Sequence, residues 1–493
     1  MIARPPVVVV VGHIDHGKTA LLDYIRKTRI AEREAGGITQ AIGAYQAEHG
    51  GKKITFIDTP GHEAFSAMRS RGAHVADVAV LVVAADEGVK AQTEEAIRII
   101  QENELPYVVA INKTDKPNAD PNRVKQELAE RSVLVEGYGG TVPAAAISAK
   151  TGEGVNQLLE TILLLAELEE LSADPTKNGQ GVVIESHLDP KRGAAATLLL
   201  EDGEVRRGDF VLIGEQVAPI RIFENFLGQP LDRAGPSEPI RIVSLPKVPA
   251  LGERCMAFPS RAEAEAALDG VASAAGRQTP AAAGAPAAKT TVNVVLKADL
   301  LGSNEALEAA IVGMGSPELG AKVLKSEVGD ITESDVKLAA ASAPAFVAGF
   351  NVKVPPPIRE LAERSGVAIL AGNVIYDLLE AIRAKLVELA PSELRRVDLG
   401  QAKVLALFKE ERTKQIVGGR VEAGKVTSGA RFEIIRNQLK IGSGRVLELQ
   451  SGRKAVEEVP AGQEFGILAE RDIAIAAGDT LAFFAEERIA PTL

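Results

Sequence analysis

The residues with the clearest chemical potential are Gly12 to Thr19, GHIDHGKT. Their spacing fits Gly-x-x-x-x-Gly-Lys-Ser/Thr, in which backbone N–H groups and a helix N-terminus surround phosphate oxygens. Val7–Val11 before the loop predicts a buried strand, and Ala20–Thr28 after it predicts a helix. Lys18 would reach the terminal phosphates of a nucleotide, and the Thr19 hydroxyl would bind Mg²⁺. The predicted phosphate-site residues are Gly12, His13, Ile14, Asp15, His16, Gly17, Lys18 and Thr19.

Two further segments have residues that sense a terminal phosphate and its metal ion. Asp58-Thr59-Pro60-Gly61 follows the predicted strand Ile54–Ile57. Asp58 would hold a water molecule of the Mg²⁺ ion from the second shell, and Gly61 would donate its N–H to the γ-phosphate. Thr39 lies between the two motifs and would bind Mg²⁺ only when the γ-phosphate is present. Such an ordering step is how a switch senses its nucleotide.

His62 directly follows Gly61, and a lone histidine is usually structural. Here the imidazole would stand beside the γ-phosphate, where it could orient the attacking water as the catalytic residue. Ile14 and Ile38 could form a hydrophobic gate that keeps His62 out until a partner opens it. His13 and His16 also admit a metal site, but the sequence shows no carboxylate or cysteine cluster with them.

The base of the nucleotide is specified further along. Asn112-Lys113-Thr114-Asp115 follows the predicted strand Tyr107–Ile111. The Asp115 carboxylate can accept both N–H donors of the guanine edge, a pattern that adenine lacks, while Asn112 and Lys113 flank the base. Ser148, Ala149 and Lys150 would complete the pocket. Five elements, each at the end of a predicted strand, together predict a GTP/GDP site with Mg²⁺.

Alternating strands and helices must position these loops, and they predict a doubly wound parallel sheet. Turn-rich and low-complexity stretches then divide the rest of the chain. The predicted fold is multidomain, with an α/β P-loop GTPase domain, a β-barrel, an α/β sandwich, a connecting helix and a second β-barrel. The boundaries are 1–171 (GTP-binding domain), 179–258 (β-barrel), 259–290 (helix and Ala/Gly/Pro linker), 291–372 (α/β domain), 373–397 (connecting helix) and 398–493 (second barrel).

Composition narrows the functional classes. The 493 residues include one cysteine, Cys255, so an internal disulfide or thiolate zinc site is excluded. Tryptophan is absent and aromatics are 4% of residues, which argues against stacking platforms for nucleic acid. No run of 18 uncharged apolar residues occurs, so we expect a cytoplasmic protein with no membrane contact. We also expect a monomer.

Several motifs together resemble bacterial translation initiation factor 2. They are GHIDHGKT, EAGGITQAIGAYQ (34–46), DTPGHEAF (58–65), SAKTGEGV (148–155), VIESHLDPKRG (183–193), GDITESDVKLA (329–339) and GFNVKV (349–354). The resemblance implies that the GTP form brings formylmethionyl initiator tRNA to the small ribosomal subunit. It also implies large-subunit joining, contact with other initiation factors, and release after GTP hydrolysis.

The same resemblance implies site roles. His62 would be the catalytic histidine, activated by large-subunit rRNA, and Asp15 would contact phosphate or a monovalent cation. A GTPase subunit acting on a non-ribosomal metabolic partner is the alternative, because such proteins share the phosphate loop and the adjacent barrel. A scaffold that no longer hydrolyses GTP is disfavoured by the intact Lys18, Thr19, Thr39 and His62.

The sequence differs from the usual family pattern at the N-terminus, at Ala41 and in two segments of the last barrel. It resembles a short form without the long N-terminal extension, and Ala41 stands where relatives usually have histidine. Gln450-Ser451-Gly452 replaces a basic-aromatic cluster of the initiator pocket. In the second pocket segment, Gly462–Gly466, only Glu464 and Gly466 match the family pattern.

The last barrel carries local positive charge. Residues 403–454 hold twelve Lys or Arg and five Asp or Glu in a chain of net charge −11. Such a basic face could meet tRNA phosphates, with binding that weakens as salt increases, and a solvated face is the alternative. The predicted tRNA-binding residues are Arg436, Lys440, Arg445, Arg453, Lys454, Glu464 and Gly466.

Overall fold

The structure is a computed structural model that describes residues 1–27, 39–40, 42–274, 290–390, 393–410, 413–452 and 454–489. It comprises two compact units, Met1–Leu389 and Ala390–Thr492, which are described separately. The predicted linker residues 276–289 and the predicted site residues Ile38 and Arg453 lie outside the described residues, as does Ala41.

A doubly wound sheet forms the first domain. Its strands lie in the order β3-β4-β2-β5-β6-β7, and all neighbours are parallel except β3 with β4. The elements are β1 (Ile2–Ala3), β2 (Val7–Gly12), α1 (Lys18–Arg26), β3 (Gly43–His49), β4 (Lys52–Asp58), α2 (Ser66–His74), β5 (Val78–Ala84), α3 (Ala91–Glu102), β6 (Tyr107–Asn112), α4 (Pro121–Ala129), β7 (Ala144–Ala146), α5 (Val155–Leu168) and β8 (Ser172–Ala173).

The sequence of the central strands explains the architecture. Every residue of β2 and β5 is buried, because helices cover both faces of a parallel sheet. Val10 lies opposite Asp58, Gly12 opposite Val82 and Ala84 opposite Asn112. This register brings the carboxyl ends of β2, β4, β5 and β6 to one edge, where such sheets bind ligands.

An antiparallel sheet curls around one apolar core in the second domain. Its order is β13-β12-β17-β9-β10-β16-β14, and Cys255 lies buried in that core. The elements are β9 (Gln180–Asp189), β10 (Gly193–Asp202), β11 (Val205–Arg206), β12 (Phe210–Ile213), β13 (Gln216–Pro219), β14 (Ile222–Asn225), β15 (Arg233–Ala234), β16 (Pro239–Leu245), β17 (Arg254–Phe258) and α6 (Arg261–Ala274).

The third domain is an α/β sandwich on a four-stranded parallel sheet of order β19-β18-β20-β21. Its elements are β18 (Thr290–Ala298), α7 (Leu301–Gly313), β19 (Leu319–Val328), α8 (Glu333–Ala341), β20 (Ala345–Phe350), α9 (Pro356–Arg364), β21 (Ala368–Gly372) and α10 (Ile375–Leu389). The buried apolar stripe of α10 consists of Ile375, Leu378, Ile382 and Leu386, and Leu379 beside it is half-buried.

The second unit is a closed antiparallel barrel around a core that includes Phe432, Phe465 and Phe483. The order is β22-β29-β24-β25-β28-β23, and β23 closes the barrel by pairing with β22. Its strands are β22 (Glu393–Glu410), β23 (Lys414–Thr427), β24 (Arg431–Arg436), β25 (Leu439–Ser451), β26 (Lys454–Ala455), β27 (Glu458–Pro460), β28 (Glu464–Arg471) and β29 (Thr480–Ile489). The predicted fold class is confirmed.

One boundary differs from the prediction. The connecting helix predicted over 373–397 spans only Ile375–Leu389, and β22 begins at Glu393, inside the predicted helix. Pro391 explains the early end, because proline has no N–H to continue the helix and its ring clashes with the preceding turn. Across the described residues, every helix is too short or too polar to span a bilayer.

Candidate active site

The phosphate loop is shaped by two left-handed residues. After β2 the chain passes through Asp15 (φ 60°) and Gly17 (φ 87°), and α1 begins at Lys18. Gly17 is required for space as well as conformation, since a Cβ there would lie 2.4 Å from Asn112 Nδ2. The N-terminal N–H groups of α1 therefore open toward the edge of the sheet, as an anion site requires.

Lys18 spans the loop. Its Nζ donates to the carbonyl oxygens of Gly12 (2.9 Å) and His13 (2.8 Å), and the residue is 6% exposed. Burial lowers the pKa of Lys18, and the nearby Asp58 carboxylate opposes that shift. A Cβ on Gly61 would lie 2.4 Å from Lys18 Nζ, so the Asp58–Gly61 loop packs directly against the phosphate loop.

Three oxygen-bearing side chains meet beside Lys18. The hydroxyls of Thr19 and Thr39 are 2.5 Å apart, and the Thr39 hydroxyl donates to Asp58 Oδ2 at 3.4 Å. Asp58 is buried, which raises its pKa, and its Oδ1 has no hydrogen-bond partner among the described residues. Two hydroxyls and an unpartnered carboxylate oxygen fit Mg²⁺, which prefers oxygen ligands.

The base-recognition residues form one connected cluster. Asn112 is 2% exposed, donates from Nδ2 to His16 O (2.9 Å) and accepts at Oδ1 from Ala149 N (2.9 Å). Asn112 thus ties the phosphate loop to the Ser148–Lys150 loop. Asp115 is exposed, and the Ser148 hydroxyl bonds its Oδ1 at 2.7 Å, which holds the pKa of the carboxyl below its usual range.

Lys113 takes a left-handed conformation (φ 64°), and its ammonium donates to Glu87 Oε1 at 2.8 Å. Lys150 is exposed at the far side of the base pocket. The base-recognition motif does not predict the contact with Glu87. The contact forms because β5 and β6 are neighbours whose carboxyl ends lie side by side.

His62 is held in a specific orientation. Its Nδ1 accepts from Ala64 N at 2.8 Å, which caps the short turn Glu63–Phe65, and the residue is 8% exposed. Burial lowers the pKa of His62, so the imidazole is neutral at pH 7. The buried guanidinium of Arg69 donates to the carbonyls of His62 and Pro60 and pairs with Glu95. Sequence reasoning did not identify Arg69.

A cavity of about 310 Å³ brings together the phosphate-loop and switch residues of the predicted site, whereas Asp58, Asn112 and Asp115 do not line it. Tyr376 from α10 also lines it, although the residue belongs to another domain. Ile14 of the predicted gate lies on the wall, and its partner Ile38 lies outside the described residues. The lining residues are Ile14, Asp15, Gly17, Lys18, Thr19, Ala20, Thr39, Gly61, His62, Lys113 and Tyr376.

The His13–His16 pair has a carboxylate neighbour that the sequence did not reveal. Donor atoms of His13, His16 and Glu87 lie within 4.8 Å of one another. A tetrahedral zinc ion at ~2.05 Å would need donors only about 3.4 Å apart, and Glu87 is paired with Lys113. Burial lowers the pKa of His16 to about 3, and its Nδ1 faces Val82 O at 3.4 Å. The ring packs beneath the loop, and only the His16 carbonyl joins the base-recognition cluster.

In the second barrel, the two segments that differ from the family pattern are neighbours. Gln450 pairs with Gly466, and the Ser451 hydroxyl donates to Glu464 O at 3.0 Å. Lys454, which is exposed, follows on β26. Phe408 lies nearby, because a Cβ on Gly418 would be 2.9 Å from its ring and Gly418 pairs with Gly466.

The other predicted tRNA-binding residues lie apart from that cluster. Lys440 is ten residues from Gln450 along β25, which corresponds to roughly 30 Å. Arg436 forms two hydrogen bonds to Asp479 (both 2.8 Å), and Lys440 pairs with Glu433 at 2.6 Å. Arg445 is exposed and its Nε donates to Gly429 O at 3.3 Å. Acidic partners on adjacent strands thus offset part of the positive charge that the sequence indicated.

Family models match three successive parts of the chain. The elongation factor Tu GTP binding domain matches residues 4–167, elongation factor G domain 2 matches 178–258, and translation-initiation factor 2 matches 277–383. Translation initiation factor IF-2 of Rubrobacter xylanophilus is 43% identical and aligns with 98% of this chain and 72% of its own length. The chain belongs to the translation initiation factor 2 family. It is therefore a translational GTPase, which favours the ribosomal function over the metabolic alternative.

Other relatives extend the comparison. Translation initiation factor IF-2 of Allorhizobium ampelinum is 42% identical over all of this chain, which spans 54% of that protein, about half its length. The crystal structure of GDP-bound aIF5B from Aeropyrum pernix is 28% identical with a TM-score of 0.50, covering 98% of this chain and 92% of that one. The alignments with both proteins therefore run through all the domains of this chain.

Proposed function

We propose that the chain is a ribosome-stimulated GTPase of translation initiation. In its GTP form it promotes binding of formylmethionyl initiator tRNA to the small subunit and joining of the large subunit. Hydrolysis of GTP to GDP and phosphate then releases it. The observation that carries the proposal is the convergence of Lys18, Thr19, Thr39, Asp58 and Gly61 at one edge of the sheet. Asn112 joins the phosphate loop to the loop whose Ser148 contacts Asp115.

The binding steps follow from the geometry. Lys18 exchanges its two carbonyl partners for β- and γ-phosphate oxygens, which preserves its charge-assisted hydrogen bonds. The Asp115 carboxylate accepts hydrogen bonds from the guanine edge, while the Ser148 hydroxyl donates to its Oδ1 and keeps it in position. Thr19, Thr39 and Asp58 would hold Mg²⁺, which would neutralise charge that develops on the phosphates. A monovalent cation beside the exposed Asp15 is part of the proposal.

His62 performs the catalytic step. As a neutral imidazole it can accept a hydrogen bond from the attacking water and orient that water toward the γ-phosphate. The capping bond from Ala64 N uses the Nδ1 lone pair, so Nε2 carries the proton in this orientation. To accept from the water, the ring must release Nδ1 or move its proton from Nε2. Contact with large-subunit rRNA is the proposed trigger for this rearrangement. We also propose that the protein acts in the cytoplasm as a monomer, together with other initiation factors.

The second barrel is the proposed site for the initiator tRNA. Leu405, Leu407, Phe408 and Ile416 are exposed apolar side chains, and Phe408 is 71% exposed beside Gly418 and Gly466. An apolar surface next to Glu464 suits a methionine side chain, while Lys454 can position phosphates without specifying sequence. This cluster supports a tRNA acceptor-end site at the Gln450–Gly466 end of the barrel.

Binding of formylated and unformylated initiator tRNA to the small subunit, with GTP or GDP, tests the proposal. We expect tighter binding of the formylated form with GTP, weakening steeply as salt increases. Phe408→Ala should reduce it, whereas Leu439→Ala, with similar exposure at the other end of β25, should not. Equal binding of both tRNAs, or an effect only of Leu439→Ala, would contradict this site.

A further inference from the structure

Two contacts join the start of α10 to the nucleotide loops. The Tyr376 ring meets the His62 ring edge-on, with centroids 4.1 Å apart and planes at 60°. The Gln40 side chain donates from Nε2 to Asn373 O and accepts at Oε1 from Ile375 N, both at 3.0 Å. We name this set of residues, Gln40, Asn373–Ile375 and Tyr376, the α10 latch.

We propose that Tyr376 is a positioning residue that restrains His62 in its resting orientation and so suppresses GTP hydrolysis without ribosomes. The proposal rests on the proposed function. His62 is confined from two directions, by the Ala64 N–H at Nδ1 and by the Tyr376 ring. Turning the imidazole toward a water at the γ-phosphate requires both contacts to be remade. Tyr376 acts only through His62.

The wall of the cavity supports this role. Tyr376 is 39% exposed although it adjoins the buried stripe of α10, and its exposed part lines the nucleotide cavity with Lys18, Gly61 and His62. Burial and the carboxylates of Asp15 and Glu63 raise the pKa of Tyr376, so its hydroxyl stays protonated. The ring is thus a neutral aromatic surface against His62.

Gln40 links the latch to the nucleotide. It directly follows Thr39, whose hydroxyl contacts Thr19 and Asp58 in the Mg²⁺ site. The two hydrogen bonds of Gln40 fix the backbone just before Tyr376. A displacement of Thr39 therefore moves Gln40 and the backbone that holds the Tyr376 ring against His62. In this way, binding of the metal ion at Thr39 is coupled to the position of His62. Such coupling requires only that the two nucleotide states contact Thr39 differently.

Single-turnover GTP hydrolysis of Tyr376→Leu tests the restraint. The ribosome-free rate should increase about two- to tenfold, the range that corresponds to loss of one aromatic pair. The ribosome-stimulated rate should change little, because the ribosome has already moved His62. Tyr376→Phe retains the ring and should give a smaller increase than Tyr376→Leu. Gln40→Ala should increase the ribosome-free rate in the same direction.

Tyr138→Leu is the matched control, because Tyr138 has similar exposure (40%) and lies outside the lining of the cavity. A spectroscopic measurement separates the latch from hydrolysis. With six histidines in the chain, the His62 imidazole resonances can be assigned. Loss of the Tyr376 ring current should shift them in Tyr376→Leu and not in Tyr138→Leu.

Each outcome has a distinct meaning. If wild type shows no ribosome-stimulated hydrolysis, the proposed function fails while the resonance shift can still demonstrate the contact. An unchanged or lower ribosome-free rate in Tyr376→Leu, with the variant folded and binding GDP, would overturn the restraint. An unshifted His62 resonance would overturn the contact itself.

Discussion

Replacing Asn112 with alanine should separate two loops that its side chain joins. The amide is 2% exposed and makes one bond to His16 O and one from Ala149 N, both 2.9 Å long. In the variant a buried carbonyl and a buried N–H lose their partners together. Each unpaired group costs about 1–3 kcal/mol, and water that enters the vacated space offsets part of the sum.

We therefore expect a loss of about 2–4 kcal/mol in the free energy that holds the two loops together. If the loops must be joined before nucleotide binds, GDP affinity falls by the same free energy, about 30- to 1000-fold. Asn112 also contacts the base in the proposed site, so affinity alone does not isolate the loop contribution. Thermal unfolding without nucleotide does, because no base contact is present.

The assay is GDP binding by calorimetry, together with thermal unfolding of the nucleotide-free protein. Asn122→Ala is the control, because Asn122 is exposed on α4 and its side chain accepts a hydrogen bond from the exposed Tyr138 hydroxyl at 3.3 Å. This substitution should change the free energy of unfolding by no more than ~0.5 kcal/mol. An Asn112→Ala protein that melts like wild type and binds GDP within threefold would refute the role assigned to these two hydrogen bonds.

Three further changes have defined outcomes. Asp115→Asn should shift preference from GTP toward xanthosine triphosphate, because an amide reverses the donor pattern that guanine requires; unchanged competition binding would contradict the base contact. Gly61→Ala should slow hydrolysis strongly, since its Cβ would lie 2.4 Å from Lys18 Nζ, and wild-type turnover would argue against that packing. Burial raises the pKa of Glu185 from 4.5 to about 7. The destabilisation of the folded protein by this carboxyl is therefore absent below pH 4.5, grows as pH rises and is complete above pH 7. Glu185→Gln should therefore stabilise the protein by about 2–3 kcal/mol at pH 8 and by little at pH 4.5, and equal melting shifts at both pH values would refute the assignment.

The positions of the candidate-site motifs at strand ends could be predicted from the sequence because each motif is local. Each motif follows a strand whose apolar residues are contiguous, and the parallel register then brings the strand ends together. Gly61 therefore lies against Lys18, and Asn112 lies against Gly17 of the phosphate loop. The membership in the initiation factor 2 family, inferred from motifs in three domains, is confirmed.

What the sequence could not predict depends on distant packing. Gln40 meets Asn373 and Tyr376 meets His62 only because the third domain packs against the first, and no spacing rule in the sequence predicts that. The carboxylate partners of Arg436 and Lys113 likewise come from adjacent strands rather than adjacent sequence. The helix boundary near Pro391 was misplaced because the apolar stripe indicated a helix but gave no exact end.

Single-turnover GTP hydrolysis with and without ribosomes, compared between wild type and His62→Ala, tests the ribosome-triggered switch. Wild type should be strongly stimulated by ribosomes. His62→Ala should lose the stimulation yet bind GTP nearly as well, since Lys18, Asn112 and Asp115 remain in place. Stimulated hydrolysis by His62→Ala, or no stimulation of wild type, would contradict the switch.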